Sequence, residues 1–255
     1  MTQHTGIETN ISDTMPLRVA IQGIAGCFHD AAMRRYFINS QRPVVPVEYE
    51  SFEQVVHAVT EGQAEYGAMA IENTIAGPLL PNNELLRTNA VHIVGEHKMR
   101  ISHALLALPG DRLEDINEVR SHPMAIMQCD RFLKAHPQWR VTEVFDTAGA
   151  ARDLFEDYSD DRHLAAISPV SAALNYGLKV LADGIETNKH NYTRFLIVAP
   201  GADAEAAADA DKASIVFSLP HTEGSLSKVL TVLALYDMNM TRIQSMPVIG
   251  REWEY

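Results

Sequence analysis

Thr187–Val198 reads TNKHNYTRFLIV, and the organisation of the chain turns on it. Its second half, Phe195-Leu196-Ile197-Val198, is an apolar run of strand-forming residues. Its first half sets a neutral donor, a hydroxyl, a fixed cation and an aromatic ring close together, as Asn191-Tyr192-Thr193-Arg194-Phe195. Side chains on a strand alternate faces, so Thr193 and Phe195 point one way and Arg194 the other. If the chain is still turning at Thr193, the hydroxyl and the guanidinium can both reach one cleft. An Arg fork binds a carboxylate through two parallel hydrogen bonds and keeps its charge at any working pH. A strand start with a solvated Arg is the other reading of this segment alone, and the rest of the chain decides between them.

Upstream, the chain alternates strands and helices. Residues 1–15 are polar and aperiodic, a loose tail. Leu17–Gln22 is a strand that ends in the turn Gly23-Ile24-Ala25-Gly26-Cys27-Phe28-His29 before a helix over Asp30–Ile38. A Gly-rich turn at a helix start leaves backbone N–H groups free and favours an anion. The dinucleotide fingerprint G-x-G-x-x-G is absent, so a nicotinamide cofactor is not expected. Val44–Tyr49 is a second strand, and Ser51 caps a helix over Phe52–Thr60 that Gly62 stops. Ala64–Ile71 is a strand delivering Glu72-Asn73-Thr74-Ile75-Ala76-Gly77, and Asn82-Asn83-Glu84 opens a helix. Strands follow at Val91–Lys98 and Ser102–Leu108.

From there one device repeats. Glu118–Arg120, Val141–Phe145 and Leu164–Ile167 are short strands, each ending in a hydroxyl residue at a helix start. The helices run over Met124–Ala135, with Pro123 leaving Ser121 or His122 as N-cap, over Ala148–Phe155 after Asp146-Thr147, and over Val170–Tyr176 after Ser168-Pro169. In open α/β sheets ligands sit outside the carboxyl ends of strands. The hydroxyls together with Asn73-Thr74 and the Gly turn outline a polar cleft between two lobes. Each hydroxyl alone is also explained as a cap, worth about 1 kcal/mol. Leu178–Ile185 returns the chain to the first lobe. After an Ala/Asp-rich linker come a strand over Ala213–Leu219, an amphipathic helix over Gly224–Tyr236, a strand over Met240–Met246, and the start of another at Trp253-Glu254-Tyr255.

A length of 255 residues gives room for about two domains. The formal net charge of −12 argues against nucleic acid and against a polybasic membrane contact. Cys27 and Cys129 are far apart and in no pair motif, which fits a reducing compartment. No secretory leader and no apolar run of spanning length is read, so a cytoplasmic protein is expected. The 11 histidines form no H-x-x-x-H or H-E-x-x-H pair, and no metal site is expected.

Taken in order, Gly23–Phe28, Glu72–Gly77, Ser121-His122-Pro123 with Gln128-Cys129, Asp146–Ala151, Ala165-Ala166-Ile167 and Asn191–Phe195 resemble the prephenate dehydratase family. The resemblance covers nearly the whole chain from Leu17. It implies an α/β fold, with a two-lobed catalytic region similar to type 2 periplasmic binding proteins followed by an α+β ACT regulatory domain. The catalytic region is expected over 16–199, with lobe 1 at about 16–99 and 186–199 and lobe 2 at about 100–185. The linker is 200–211, and 212–255 is a partial ACT unit, because only the first half of its βαββαβ pattern is read.

The family resemblance also implies an activity, a carbon–oxygen lyase converting prephenate to phenylpyruvate in phenylalanine biosynthesis, with no cofactor. Thr193 would meet the departing hydroxide, Arg194 would anchor a carboxylate, and Phe195 would make a low-dielectric wall. Asn73, Thr74, Ser121 and Thr147 would orient the substrate. Cys27 stands where the family usually has a hydroxyl residue, and it is carried as a further substrate contact, the alternative being a small buried packer. By the same resemblance Gly224, Ser225, Leu226, Gln244 and Ser245 would form a site for phenylalanine as allosteric inhibitor. Here the chain departs from the family's Gly-Ala-Leu and Glu-Ser-Arg-Pro motifs. An uncovered helix face in a half unit predicts a homodimer or homotetramer. The alternatives are an arogenate dehydratase and a non-catalytic small-anion sensor of the same fold.

Overall fold

A computed structural model describes residues 15–156, 163–201 and 210–246. They fall in two compact units divided after Ala207. The first unit holds two sheets. In lobe 1 the strands β1 (Leu17–Gln22), β2 (Val44–Tyr49), β3 (Tyr66–Asn73), β5 (Val91–Arg100) and β11 (Tyr192–Pro200) lie in the order β2-β1-β3-β11-β5, with β4 (Gly77–Pro78) beside β3. β1 pairs in parallel with β2 and β3, while β11 runs antiparallel between β3 and β5. Pro46, which lacks an N–H, is tolerated because β2 is an edge strand.

Lobe 2 has β6 (Ala104–Ala107), β7 (Glu118–Ser121), β8 (Arg140–Glu143), β9 (Leu164–Ser168) and β10 (Lys179–Ala182), in the order β10-β6-β9-β7-β8. The chain therefore crosses between lobes twice, once from β5 to β6 and once from β10 to β11. This is the two-lobed α/β arrangement implied by the resemblance.

Helices cover both faces of the lobe 1 sheet. α1 (Phe28–Tyr36) lies over one face, against Val19, Ile21, Ala68 and Ile197, while α2 (Phe52–Thr60) and α3 (Leu80–Thr88) lie over the other, against Ala20, Met69 and Val198. Strands buried on both faces carry little polar alternation, and β3 (YGAMAIEN) and β9 (LAAIS) read that way. Their small residues let helices approach closely: Ala150 and Ala151 of α6 (Thr147–Glu156) share a core cluster with Ala166 of β9. α2 starts as its sequence dictates, with Ser51 and Gln54 forming a reciprocal capping box. α7 (Val170–Tyr176) ends at Gly177, whose φ of +64° suits a left-handed C-cap.

Several boundaries differ from the sequence reading. α1 begins two residues earlier than read. α3 begins at Leu80, with Pro81 in its first turn, and Asn82 is buried and donates to the carbonyl of Ala70 rather than opening the helix. The single helix read over Met124–Ala135 is two, α4 (Pro123–Gln128) and α5 (Asp130–Lys134), broken at Cys129. The segment read as returning to lobe 1 first forms β10, antiparallel to β6, and only then crosses.

The second unit contains α8 (Ser225–Leu235) as read, but the strands expected at Ala213–Leu219 and Met240–Met246 are not formed. A strand is held by its ladder to a neighbour, and among the described residues neither stretch has one. The strand start at Trp253–Tyr255, most of the tail and most of the linker lie outside the described residues.

Candidate active site

β11 has already begun at Tyr192, so strand alternation applies at once. Thr193 pairs with Asn73 and Arg194 with Glu72. Phe195, on Thr193's face, is buried against Ala32, Ala70 and Ile101, and meets the ring of His29 edge-on at 5.1 Å. It is a buried apolar core residue behind Thr193. Arg194 points to the other face, its Nε 3.3 Å from Glu96 and its Nη1 3.9 Å from Glu72. The expectation that 193 and 194 share one cleft is corrected: the guanidinium sits between carboxylates of β3 and β5.

Asn73, at the carboxyl end of β3, organises the polar side. Its Oδ1 accepts from the N–H groups of Ile75 and Ala76, both at 2.8 Å, which fixes the amide's orientation. Its Nδ2 therefore faces the neighbours, donating to Asn191 Oδ1 at 2.7 Å and to Thr193 Oγ1 at 2.9 Å. With its oxygen occupied, Asn191 donates through Nδ2 to Gln128 Oε1 at 3.0 Å. His103 Nε2, 2.9 Å from the same oxygen, must then carry the proton. Donation thus runs from Asn73 in lobe 1 through Asn191 at the crossing to Gln128 of α4, where His103, just before β6, donates from the other side. The result at Thr193 is chemical: its oxygen accepts from Asn73, so its own hydrogen is released toward another acceptor. Thr193 is 8% exposed, a hydroxyl at the rim of a buried network.

Burial lowers the pKa of His103, against opposing effects of Gln128 and Glu186, and favours the neutral ring this chain of bonds requires. His29 is lowered further, to about 4, by burial. Its Nε2 accepts from the Ala70 N–H at 3.4 Å. A neutral tether, it supplies no positive charge to a substrate.

The other sequence candidates are placed as follows. Thr74 donates its hydroxyl to the His190 carbonyl and accepts from Tyr192 N–H, so it braces the loop. Ser121 is fully buried and donates to the Ile167 carbonyl at 2.6 Å, tying β7 to β9 rather than facing ligand, and His122 Nδ1 supplies the cap of α4. Thr147 opens α6, while Asp146 caps it by accepting from Gly149 N–H. Cys27 is buried, its thiol 3.7 Å from the Gln22 carbonyl, and burial pushes it up to about 12. It is a packing residue, not a substrate contact.

The Gly turn is no anion cradle either. Ala25 N–H is bound by Glu48, Gly26 N–H by Asp30 and Cys27 N–H by the Ile24 carbonyl. The turn serves as a seam between lobes: Ser171 and Tyr176 of α7 donate to the carbonyls of Gly26 and Ala25. Gly26 has φ +91°, and a Cβ there would lie 2.9 Å from Ala172 Cα, so only glycine fits.

Sequence reasoning misses Asn191, Gln128 and His103 as site residues. Asn191 is legible, two positions before Thr193 and next to the start of β11. Gln128 and His103 come from distant segments, and only the fold joins them. Gly224, Ser225 and Leu226 sit at the start of α8, with Gln244 and Ser245 after it, all within the second unit. Among the described residues no His, Cys, Asp and Glu side chains gather into a metal-holding group, and no helix is long and apolar enough to cross a membrane.

Comparison with known proteins bears on this geometry. A family model described as prephenate dehydratase matches residues 19–203. An arogenate dehydratase/prephenate dehydratase of Arabidopsis thaliana is 36% identical over 94% of the chain, which spans 61% of that protein. Two solved structures are similar. One, described as a novel type of quorum-quenching acylase, is 29% identical with a TM-score of 0.75, covering 93% of this chain and 84% of that one. The other is a prephenate dehydratase of Arthrobacter aurescens in complex with L-Phe, 25% identical with a TM-score of 0.73, covering 91% and 77%.

Proposed function

The chain belongs to the prephenate dehydratase family, and from that membership we propose that it converts prephenate to phenylpyruvate by decarboxylating dehydration. The observation that carries the reading is the contact from Asn73 Nδ2 to Thr193 Oγ1 at 2.9 Å, which leaves the threonine hydrogen available. Prephenate holds a ring carboxylate, a pyruvyl group and a ring hydroxyl. As the carboxylate leaves as carbon dioxide, its bonding pair enters the ring. The ring C–O bond breaks and the departing hydroxide takes up a proton from solvent to become water. Aromatisation drives the step, and the protein's task is to meet charge growing on the leaving oxygen.

Thr193 meets it with a hydrogen bond that strengthens toward the transition state, since a threonine hydroxyl is too weak an acid to give up its proton outright at neutral pH. Asn73, Asn191 and Gln128 hold that hydroxyl in place. Thr147, at the lobe boundary where Ala148 packs with lobe 1, is kept as a substrate-orienting group. Arg194 supports β3 and β5 through its ion pairs rather than gripping substrate. An acylase needs a nucleophile beside a base. Cys27 is buried and Ser121 bonds a carbonyl, so neither is placed as such a nucleophile.

Arogenate is the second reading, favoured by the names of plant relatives such as an arogenate dehydratase of Petunia hybrida, 37% identical, of which the chain spans 57%. Paired assays decide: phenylpyruvate absorbance after adding prephenate, phenylalanine formation after adding arogenate. Turnover of neither refutes the proposal. Feedback by phenylalanine at Gly224, Ser225, Leu226, Gln244 and Ser245 belongs to the same proposal, supported by the L-Phe complex of the Arthrobacter protein. So does a cytoplasmic setting, supported by two buried free thiols.

A further inference from the structure

The two crossings between lobes lie side by side, and one buried carboxylate sits between them. We infer that Glu186 is a positioning residue, gripping both crossings and through them fixing the amide chain that ends at Thr193.

Glu186 is 2% exposed. Its Oε2 accepts from His103 N–H at 3.0 Å and Ser102 Oγ at 3.2 Å. Its Oε1 accepts from Arg100 at 2.9 Å, with Lys189 Nζ at 3.5 Å. Arg100, Ser102 and His103 belong to the first crossing, Glu186 and Lys189 to the second. The residues flanking Glu186 bond the same machinery: Ile185 N–H donates to the His103 carbonyl at 2.9 Å, and Thr187 N–H to the Gln128 carbonyl at 2.7 Å. At the far end of the crossing, Ile101 N–H donates to the Asn191 carbonyl at 2.8 Å.

The groups that set Thr193's orientation are thus tied, through short bonded paths, to Glu186. Removing a carboxylate from water is costly unless it is surrounded by donors. Burial raises its pKa, but the His103 N–H and Arg100 more than offset this and keep it below the usual carboxylate range. Such a group holds one geometry rather than a family of them. Neither Thr193, Asn73 nor Gln128 bonds Glu186 directly, so its effect on the reaction passes through His103 and the two backbones.

The inference rests on Thr193 acting in the dehydration. The test compares wild type with Glu186→Gln, measuring kcat, KM and thermal midpoint, with kcat taken well below each midpoint. Glutamine keeps the volume but turns an amine toward donors on one side. A displacement of this kind lowers kcat about ten- to hundredfold. A purely structural role would lower the midpoint and leave the kcat of folded protein unchanged. Folded Glu186→Gln with kcat and KM within about threefold of wild type overturns the inference. If that variant does not fold, Ser102→Ala and Arg100→Gln each remove one donor, and a several-fold loss of kcat in both supports it. Wild-type kcat in either overturns it. Wild-type protein inactive on prephenate and arogenate alike sinks the proposed function and this inference together. An active wild type with an indifferent Glu186 sinks the inference alone.

Discussion

Asn73→Asp exchanges an amine for an oxygen at nearly constant volume and reverses one end of the polar chain. The oxygen that accepts from Ile75 and Ala76 is retained, so the turn stays formed. The new oxygen lies where Nδ2 stood, 2.7 Å from Asn191 Oδ1 and 2.9 Å from Thr193 Oγ1. Against Asn191 and the Tyr192 carbonyl it is acceptor on acceptor. Asn191 can turn its amide in relief, but its oxygen then faces Gln128 Oε1, and that pair is remade only if Gln128 turns too and His103 changes tautomer. Against Thr193 it is an ionised acceptor, and the threonine hydrogen turns toward it. A hydrogen bond to a charged group is worth about 1.5–3 kcal/mol. That energy must be given back before the hydrogen can meet the leaving oxygen. At about 1.4 kcal/mol per factor of ten, kcat falls roughly ten- to hundredfold.

KM moves little, because the loss is felt as charge develops. Initial rates of phenylpyruvate formation from prephenate at about pH 7.5 measure the effect. A variant with kcat within about threefold of wild type refutes the reasoning, since the threonine hydrogen would then be irrelevant or differently held.

Thr193→Ala is expected to lose about 10²-fold or more in kcat, the range for a positioned proton donor, and near-normal turnover in the same assay would remove Thr193 from the mechanism. Arg194→Lys is expected to lower the thermal midpoint by a few degrees while KM stays within about threefold; a tenfold rise in KM would return Arg194 to substrate binding. His29→Gln is expected to flatten the acid side of the stability profile. Its folded pKa of about 4 lies below the ordinary 6.5, so the neutral ring stabilises the fold fully above about pH 6.5 and that stability is lost as pH falls toward 4. The whole effect is on the order of 3 kcal/mol. Thermal midpoints at about pH 7 and pH 5 read it, and an equal drop in variant and wild type would show that other groups, His103 among them, carry the acid sensitivity.

The elements are legible wherever local chemistry decides them. Leu17–Gln22, Val44–Tyr49 and Val170–Tyr176 form over the spans read, because β-branched runs and a terminal glycine act within a few residues of chain. The site is legible only in part. Asn73 and Thr193 are read together, but Arg194 is given a substrate role that strand alternation denies, since the chain is no longer turning at that point. Ser121, Thr74 and Cys27 have the right chemistry and the wrong neighbours: each spends its polar group on a backbone carbonyl that the sequence places far away or out of view. The Gly turn misleads for the same reason, its amides being claimed by Glu48 and Asp30. In the second unit, strand propensity is present at Ala213–Leu219 without a partner among the described residues to pair it.

The sheet order β2-β1-β3-β11-β5 has a consequence for biosynthesis. β11 is an interior strand, yet it is translated after all of lobe 2. Until it emerges, β5 has no ladder to join the sheet by, and the inner edge of β3 is unpaired. Lobe 2 has a shorter wait of the same kind, for β9 between β6 and β7, but it is contiguous in sequence. Thr193 rides on the last strand of lobe 1 to be made, so a nascent chain acquires the hydroxyl proposed for its chemistry in the same event that closes its first sheet.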